Sequence, residues 1–86
     1  MPIVSSFYGI IIYFFFDDHN PPHFHAKYNE HEALIDIKSF GIVKGSLPAK
    51  AHGLIIEWAS KHKLELLKDW ELAKANKQPE KIEPLK

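Results

Sequence analysis

The chain contains no cysteine. That excludes disulfides, thiolate metal sites and cysteine nucleophiles together, and leaves histidine and carboxylate chemistry. It also lacks an excess of either charge, with 11 Lys+Arg against 11 Asp+Glu. No global field therefore draws it to nucleic acid or to an anionic membrane, and RNA or DNA stays open only as the ligand of a local patch. The longest hydrophobic run, Ile10 to Phe16, falls far short of the ~20 residues a membrane span requires. No basic region precedes it and no small-residue cleavage site follows it, so the expectation is a cytoplasmic protein with no membrane partner. Glycine-rich phosphate loops, nucleophile elbows and RNA-binding aromatic signatures are missing. Internal repeats and low-complexity segments are missing too.

What is present suits a small folded domain. At 86 residues and 45% hydrophobic, the chain can bury a modest core, to which a partner or a second copy would add. A homodimer stays open. Gly9 to Phe16, GIIIYFFF, is apolar at both parities and predicts a strand covered on both faces. Asp17 to Pro22, DDHNPP, is dense in turn formers, and its two prolines end that strand.

From His23 the period becomes two. Phe24, Ala26 and Tyr28 point one way, and His23, His25 and Lys27 the other. A second alternating run spans His31 to Lys38. If Asn29-Glu30 is a two-residue hairpin loop, Lys27 pairs with Glu32, His25 with Leu34 and His23 with Asp36. In that register Phe24, Ala26, Tyr28, Ala33, Ile35 and Ile37 share a core face, and the polar side chains share the opposite one. Leu34 on the polar face and His31 on the apolar face are the exceptions.

Lys38 to Gly41 predicts another turn, followed by a short strand from Ile42 to Gly45. Ser46 or Leu47 then lies near a helix cap, with Pro48 in the first turn. Leu54, Ile55, Trp58, Ala59, Leu66, Leu67, Trp70 and Ala73 fall along one helical stripe. The polar stretch Ser60 to Lys63 interrupts it. One long helix, kinked there, is expected, and a helix pair stays open. The expected fold is α+β: an antiparallel sheet of about four strands with a long C-terminal helix packed on one face. Residues 1–78 form the single domain and 79–86 an extended tail, whose Ile82 and Leu85 can still dock.

The chemistry-bearing candidates are His23 and His25, two apart on one strand face, which suits an acid–base pair or two metal ligands. Asp36, opposite His23, is placed to accept a ring N–H and fix the tautomer. Asp17, Asp18 and His19 are the nearest third ligands, and Lys27 and Glu32 lie further along the face as binding residues. The spacing fixes no third ligand, so the expected site is metal-free and without a cofactor. The competing reading is a solvent-facing hairpin whose His23/Asp36 and Lys27/Glu32 pairs each contribute roughly a few tenths of a kcal/mol. Trp58 and Trp70 are expected in the core. The lysines at 61, 63 and 68, interleaved with Glu57, Glu65, Asp69 and Glu71, read as a solvated face.

The segments FYGIIIYFFFDDHNPPHFHAKY, EALIDI, GSLPAKA, EWA, WELAKANK and KIEPL resemble the small bacterial family catalogued as domain of unknown function 4160. The resemblance covers almost the whole chain, and its most specific part runs from Asp18 to Ala26. It implies a gene often found beside that of a second small protein, in an arrangement like a toxin–antitoxin pair. Two readings follow. The first is a non-catalytic interaction module, one component of a two-protein toxin–antitoxin-like system. The alternative is a metal-independent hydrolase or ribonuclease with His23 and His25 as acid and base, Asp36 orienting His23 and Lys27 on the phosphate.

Overall fold

The computed structural model describes residues 2–86; Met1, the first residue of the expected domain, lies outside them. Five antiparallel strands, β1 (Ile3–Phe7), β2 (Ile10–Tyr13), β3 (His23–Tyr28), β4 (His31–Asp36) and β5 (Ile42–Gly45), form one sheet in sequence order. Two helices follow, α1 (Ala49–Lys61) and α2 (Lys63–Lys74).

The expected four strands become five because the N-terminal apolar segment is itself a hairpin. Phe7 pairs with Ile10, and Tyr8 and Gly9 form the turn with φ of 50° and 81°. Positive φ at both central positions is the geometry whose twist matches the flanking strands, and glycine makes it cheap. The aromatic run after Tyr13 leaves the ladder, and Phe14 is buried while Phe15 and Phe16 are exposed.

The β3–β4 register agrees with the alternation in the sequence: His23 pairs with Asp36, His25 with Leu34 and Lys27 with Glu32. Asn29 at the turn takes φ 54°, a left-handed conformation that asparagine tolerates better than most residues. Phe24, Ala26, Ala33, Ile35 and Ile37 are buried with Ile10, Ile12 and Phe14 in the core. Side-chain alternation places the residues between them on the opposite sheet face.

The helices pack on the core, and α2 also reaches His23 at the start of β3 through Trp70. Trp58 of α1 packs 5.2 Å from the Phe7 ring and 6.0 Å from the Phe24 ring, centroid to centroid. Pro48 occupies the N-cap position of α1, with Ser46 outside it and no side-chain cap. The helix is therefore held by burial of Ala51, Ile55, Trp58 and Ala59. Fully burying a large apolar side chain contributes ~1.5–3 kcal/mol, more than a cap of about 1 kcal/mol.

One continuous helix is not what forms. At His62 the backbone leaves helical values (φ −130°, ψ 25°), and α2 starts anew at Lys63. Ser60 Oγ donates to the Glu57 carbonyl, a local bond that favours a bend within the polar stretch. The new direction buries Leu66, Trp70 and Ala73, and also Asp69. The lysines at 61, 63 and 68 are exposed as expected, but Asp69 belongs to the interior.

The tail is extended and packed. Ile82 is buried and its N–H donates to the Val4 carbonyl, Trp58 Nε1 donates to the Glu83 carbonyl, and the Glu80 N–H donates to Asp69 Oδ1. Residues 79–86 thus cover the β1 edge and α1. Among the described residues, no helix is long and apolar enough to cross a membrane.

Candidate functional site

The connection from β2 to β3 builds the site. Its Asp17 N–H donates to the Ala73 carbonyl at the end of α2, and the Ile37 N–H to the Pro22 carbonyl, so the loop is tied down at two places. Asp17 has φ 56°, and the Asn20–Pro21 bond is cis. Between these ties the Asp18 carboxylate faces the first residues of β3.

Asp18 Oδ2 lies 2.9 Å from His23 Nε2 and 3.1 Å from His25 Nε2. Its other oxygen, Oδ1, accepts the His19 N–H at 3.0 Å. On the far side of the first ring, His23 Nδ1 lies 2.7 Å from the Pro21 carbonyl. A carbonyl can only accept, so Nδ1 carries the proton. One candidate ligand atom from each of Asp18, His23 and His25 lies within 4.8 Å of the others.

Aromatic walls hold both rings. His23, 5% exposed, has its ring centroid 4.9 Å from that of Trp70. His25, 7% exposed, stacks on Tyr13 at 5.2 Å and meets the edge of Phe15 at 4.4 Å. The two imidazoles lie 5.2 Å apart. Such packing fixes side-chain torsions before any ligand arrives.

The electrostatics follow from burial and from the shared carboxylate. Burial pushes the Asp18 pKa upward, but the hydrogen bonds from His25 and the His19 N–H, together with the charge of His23, outweigh it and hold the group below the ordinary carboxylate value. For His25, burial dominates and lowers the pKa, with Asp18 opposing, so its neutral ring is favoured. Tyr13 is raised by burial and by donating to Glu32 Oε1 at 3.2 Å.

The residues singled out from the sequence separate into members and bystanders. His23 and His25 come together as expected. Asp36 does not orient His23: although opposite it in the ladder, its carboxylate closes its own turn, accepting the Lys38 N–H at 3.0 Å and Ser39 Oγ at 3.2 Å. A side chain that can satisfy its own turn two or three residues on has a short-range alternative to a cross-strand contact. Asp18, named only as a nearby third ligand, takes the orienting role. His19 is exposed and contributes its backbone N–H, while Lys27 is exposed and Glu32 is bonded to Tyr13. Tyr13, Phe15, Trp70 and the Pro21 carbonyl were not singled out as site residues. The parity of Tyr13 against His25 was the available signal.

Beside His25 the uncovered sheet face carries a groove of about 420 Å³ lined by Tyr13, Phe15, His25, Glu32, Leu34 and Lys44, among others. Tyr13, His25, Leu34 and Lys44 are successive cross-strand partners, forming one row across four strands. Leu34, the apolar exception on the polar face, is the floor of this groove.

No curated protein and no solved structure matches the chain. The family model for a domain of unknown function (DUF4160) matches residues 9–71, which run from Gly9 in the first hairpin turn through the Asp18–His23–His25 cluster and into α2. With most of its length matched, and the histidine cluster inside the match, the chain belongs to the DUF4160 family.

Proposed function

We propose that this protein is an interaction module, one component of a two-protein toxin–antitoxin-like system, and that the uncovered sheet face receives the second small protein. The observation that carries the reading is the row Tyr13–His25–Leu34–Lys44 and the groove over it, whose lining among the described residues includes no residue of either helix. Phe15, 43% exposed, adds apolar surface to its lining. Lys27 and Lys44 make no ion pair among the described residues, whereas Glu32 is engaged by Tyr13. The complementary partner therefore presents an apolar segment flanked by carboxylates, and strand β5 at the sheet edge offers it backbone groups as well.

The alternative is a histidine-dependent hydrolase or ribonuclease, favoured by two imidazoles sharing one carboxylate. Against it stands His23 itself. Both of its ring nitrogens are engaged and it is buried beside Trp70, so only His25 is presented to the groove. An acid–base pair needs both members within reach of substrate.

Co-expression with the product of the neighbouring gene, followed by size-exclusion chromatography, tests the proposal. One complex that Leu34→Asp or Lys44→Glu abolishes, with the fold retained, is the expected result. Failure of the wild-type proteins to co-elute removes this reading, and self-association through the same face replaces the second protein by a second copy. RNA cleavage lost in His25→Ala supports the enzyme instead.

A further inference from the structure

We propose that Asp18, His23 and His25 form a binding site for one divalent first-row transition-metal ion of the Zn²⁺ class, with one coordination position left open. The inference rests on the cluster alone and stands whether or not a partner docks on the sheet face.

Both ring nitrogens of His23 face an oxygen atom. Its Nδ1 donates to the Pro21 carbonyl at 2.7 Å, so in the neutral ring Nε2 holds a lone pair. That lone pair is aimed at Asp18 Oδ2, 2.9 Å away. Two electron-rich atoms at this distance repel unless a positive centre joins them, either a second ring proton or a metal ion. The same oxygen faces His25 Nε2 at 3.1 Å, so two nitrogens converge on one carboxylate oxygen. A metal ion satisfies all three atoms at once. Holding the far nitrogen of a ligating histidine on a backbone carbonyl is also how metal sites fix the ring tautomer.

The three ligand atoms lie within 4.8 Å of one another. Ligand atoms at ~2.0–2.1 Å from a tetrahedral ion are about 3.3 Å apart. The two nitrogen–oxygen pairs need open by only a few tenths of an ångström. Asp18 sits half-buried on a connecting loop, where such a shift is small, while the histidines are held by Trp70, Tyr13 and Phe15.

Two imidazoles with one carboxylate select borderline transition ions over Mg²⁺ and Ca²⁺, which take oxygen ligands. Three protein ligands leave a tetrahedral ion one position short, as in sites that keep a water or an exogenous group. Of the three ligands, His25 alone also lines the groove.

The test titrates Zn²⁺ into the full chain, purified without a histidine tag and stripped with chelator, by calorimetry. Co²⁺ absorption reports the ligand geometry. Expected are one ion per chain and affinity lower by about tenfold or more in Asp18→Asn and His25→Ala, with His19→Ala and Asp36→Ala unchanged. If His25→Ala does not fold, Asp18→Asn, altering a half-buried loop residue, carries the result. Absence of saturable Zn²⁺ binding by the folded wild type overturns the proposal. So does Zn²⁺ affinity in Asp18→Asn equal to that of the wild type, or binding that is lost in His19→Ala, which assigns the ion to surface histidines.

Discussion

Asp18 Oδ2 lies 2.9 Å from His23 Nε2, although the residue facing His23 across the ladder is Asp36. The carboxylate that organises the histidines thus comes from the loop before their strand. The β-ladder sets which face the rings occupy, and the loop sets what they meet there.

Replacing Asp18 by alanine should destabilise the fold by about 1–3 kcal/mol, because two buried imidazoles lose their shared partner. Asp36→Ala, which loses only bonds within an exposed turn, should cost less than half as much. Urea denaturation of both variants at neutral pH measures the contrast.

Asp69 should make the protein respond to pH in the opposite sense from Asp18. Its carboxyl is buried, Oδ2 has no partner, and burial pushes its pKa from 3.8 to about 6, with the Glu80 N–H opposing and the charges of Glu80 and Glu65 adding to the rise. A pKa raised by folding contributes stability that is full below the unfolded value near 4 and is lost as pH rises through about 6. Asp69→Asn should therefore gain on the wild type between pH 4 and 7, by at most about 3 kcal/mol at 1.36 kcal/mol per unit. The lowered pKa of Asp18 acts the other way, with stability present above the ordinary carboxylate range and lost on acidification. Denaturation of wild type and Asp69→Asn across that range separates the two.

The tail contributes to the fold it covers. Ile82→Ala should cost ~2–5 kcal/mol, the range for a large buried aliphatic residue. Deleting residues 79–86 should cost more, since it also releases Trp58 Nε1 and Asp69 Oδ1 from their tail partners. Thermal unfolding of the two variants checks the order.

Two glycines should respond oppositely to alanine. Gly45 has φ 85°, and a Cβ there would lie 2.2 Å from the Glu32 carbonyl oxygen, so Gly45→Ala should destabilise strongly at the β4–β5 junction. Gly53 lies within α1 with open space around it, and Gly53→Ala should stabilise by ~0.5–1 kcal/mol through helix propensity. Equilibrium unfolding distinguishes the signs.

Much of the central hairpin was legible because its pattern is local. The alternation from His23 to Asp36 determines register and faces, since a slip of one residue would expose Phe24, Ala26 and Ile35. The turn at Tyr8–Gly9 was hidden by apolar residues on both sides. The break at His62 depends on where Trp70 can pack, and the stripe alone does not encode that. For the site, the histidines were visible and their partner was not. Choosing between Asp18 and Asp36 requires knowing how the loop returns over β3 and how the next turn uses its own aspartate, and neither is written in a period of two.

The shared Asp18 carboxylate is tested most directly by the protonation state of the two rings, read by long-range ¹H–¹⁵N correlation NMR on labelled protein before and after adding Zn²⁺. Expected are a protonated Nδ1 on His23, Nε2 resonances of His23 and His25 that both shift on Zn²⁺ addition, and a weakened response in Asp18→Asn but not in Asp36→Asn. Ring signals that ignore Asp18→Asn and change with Asp36→Asn would contradict the shared carboxylate.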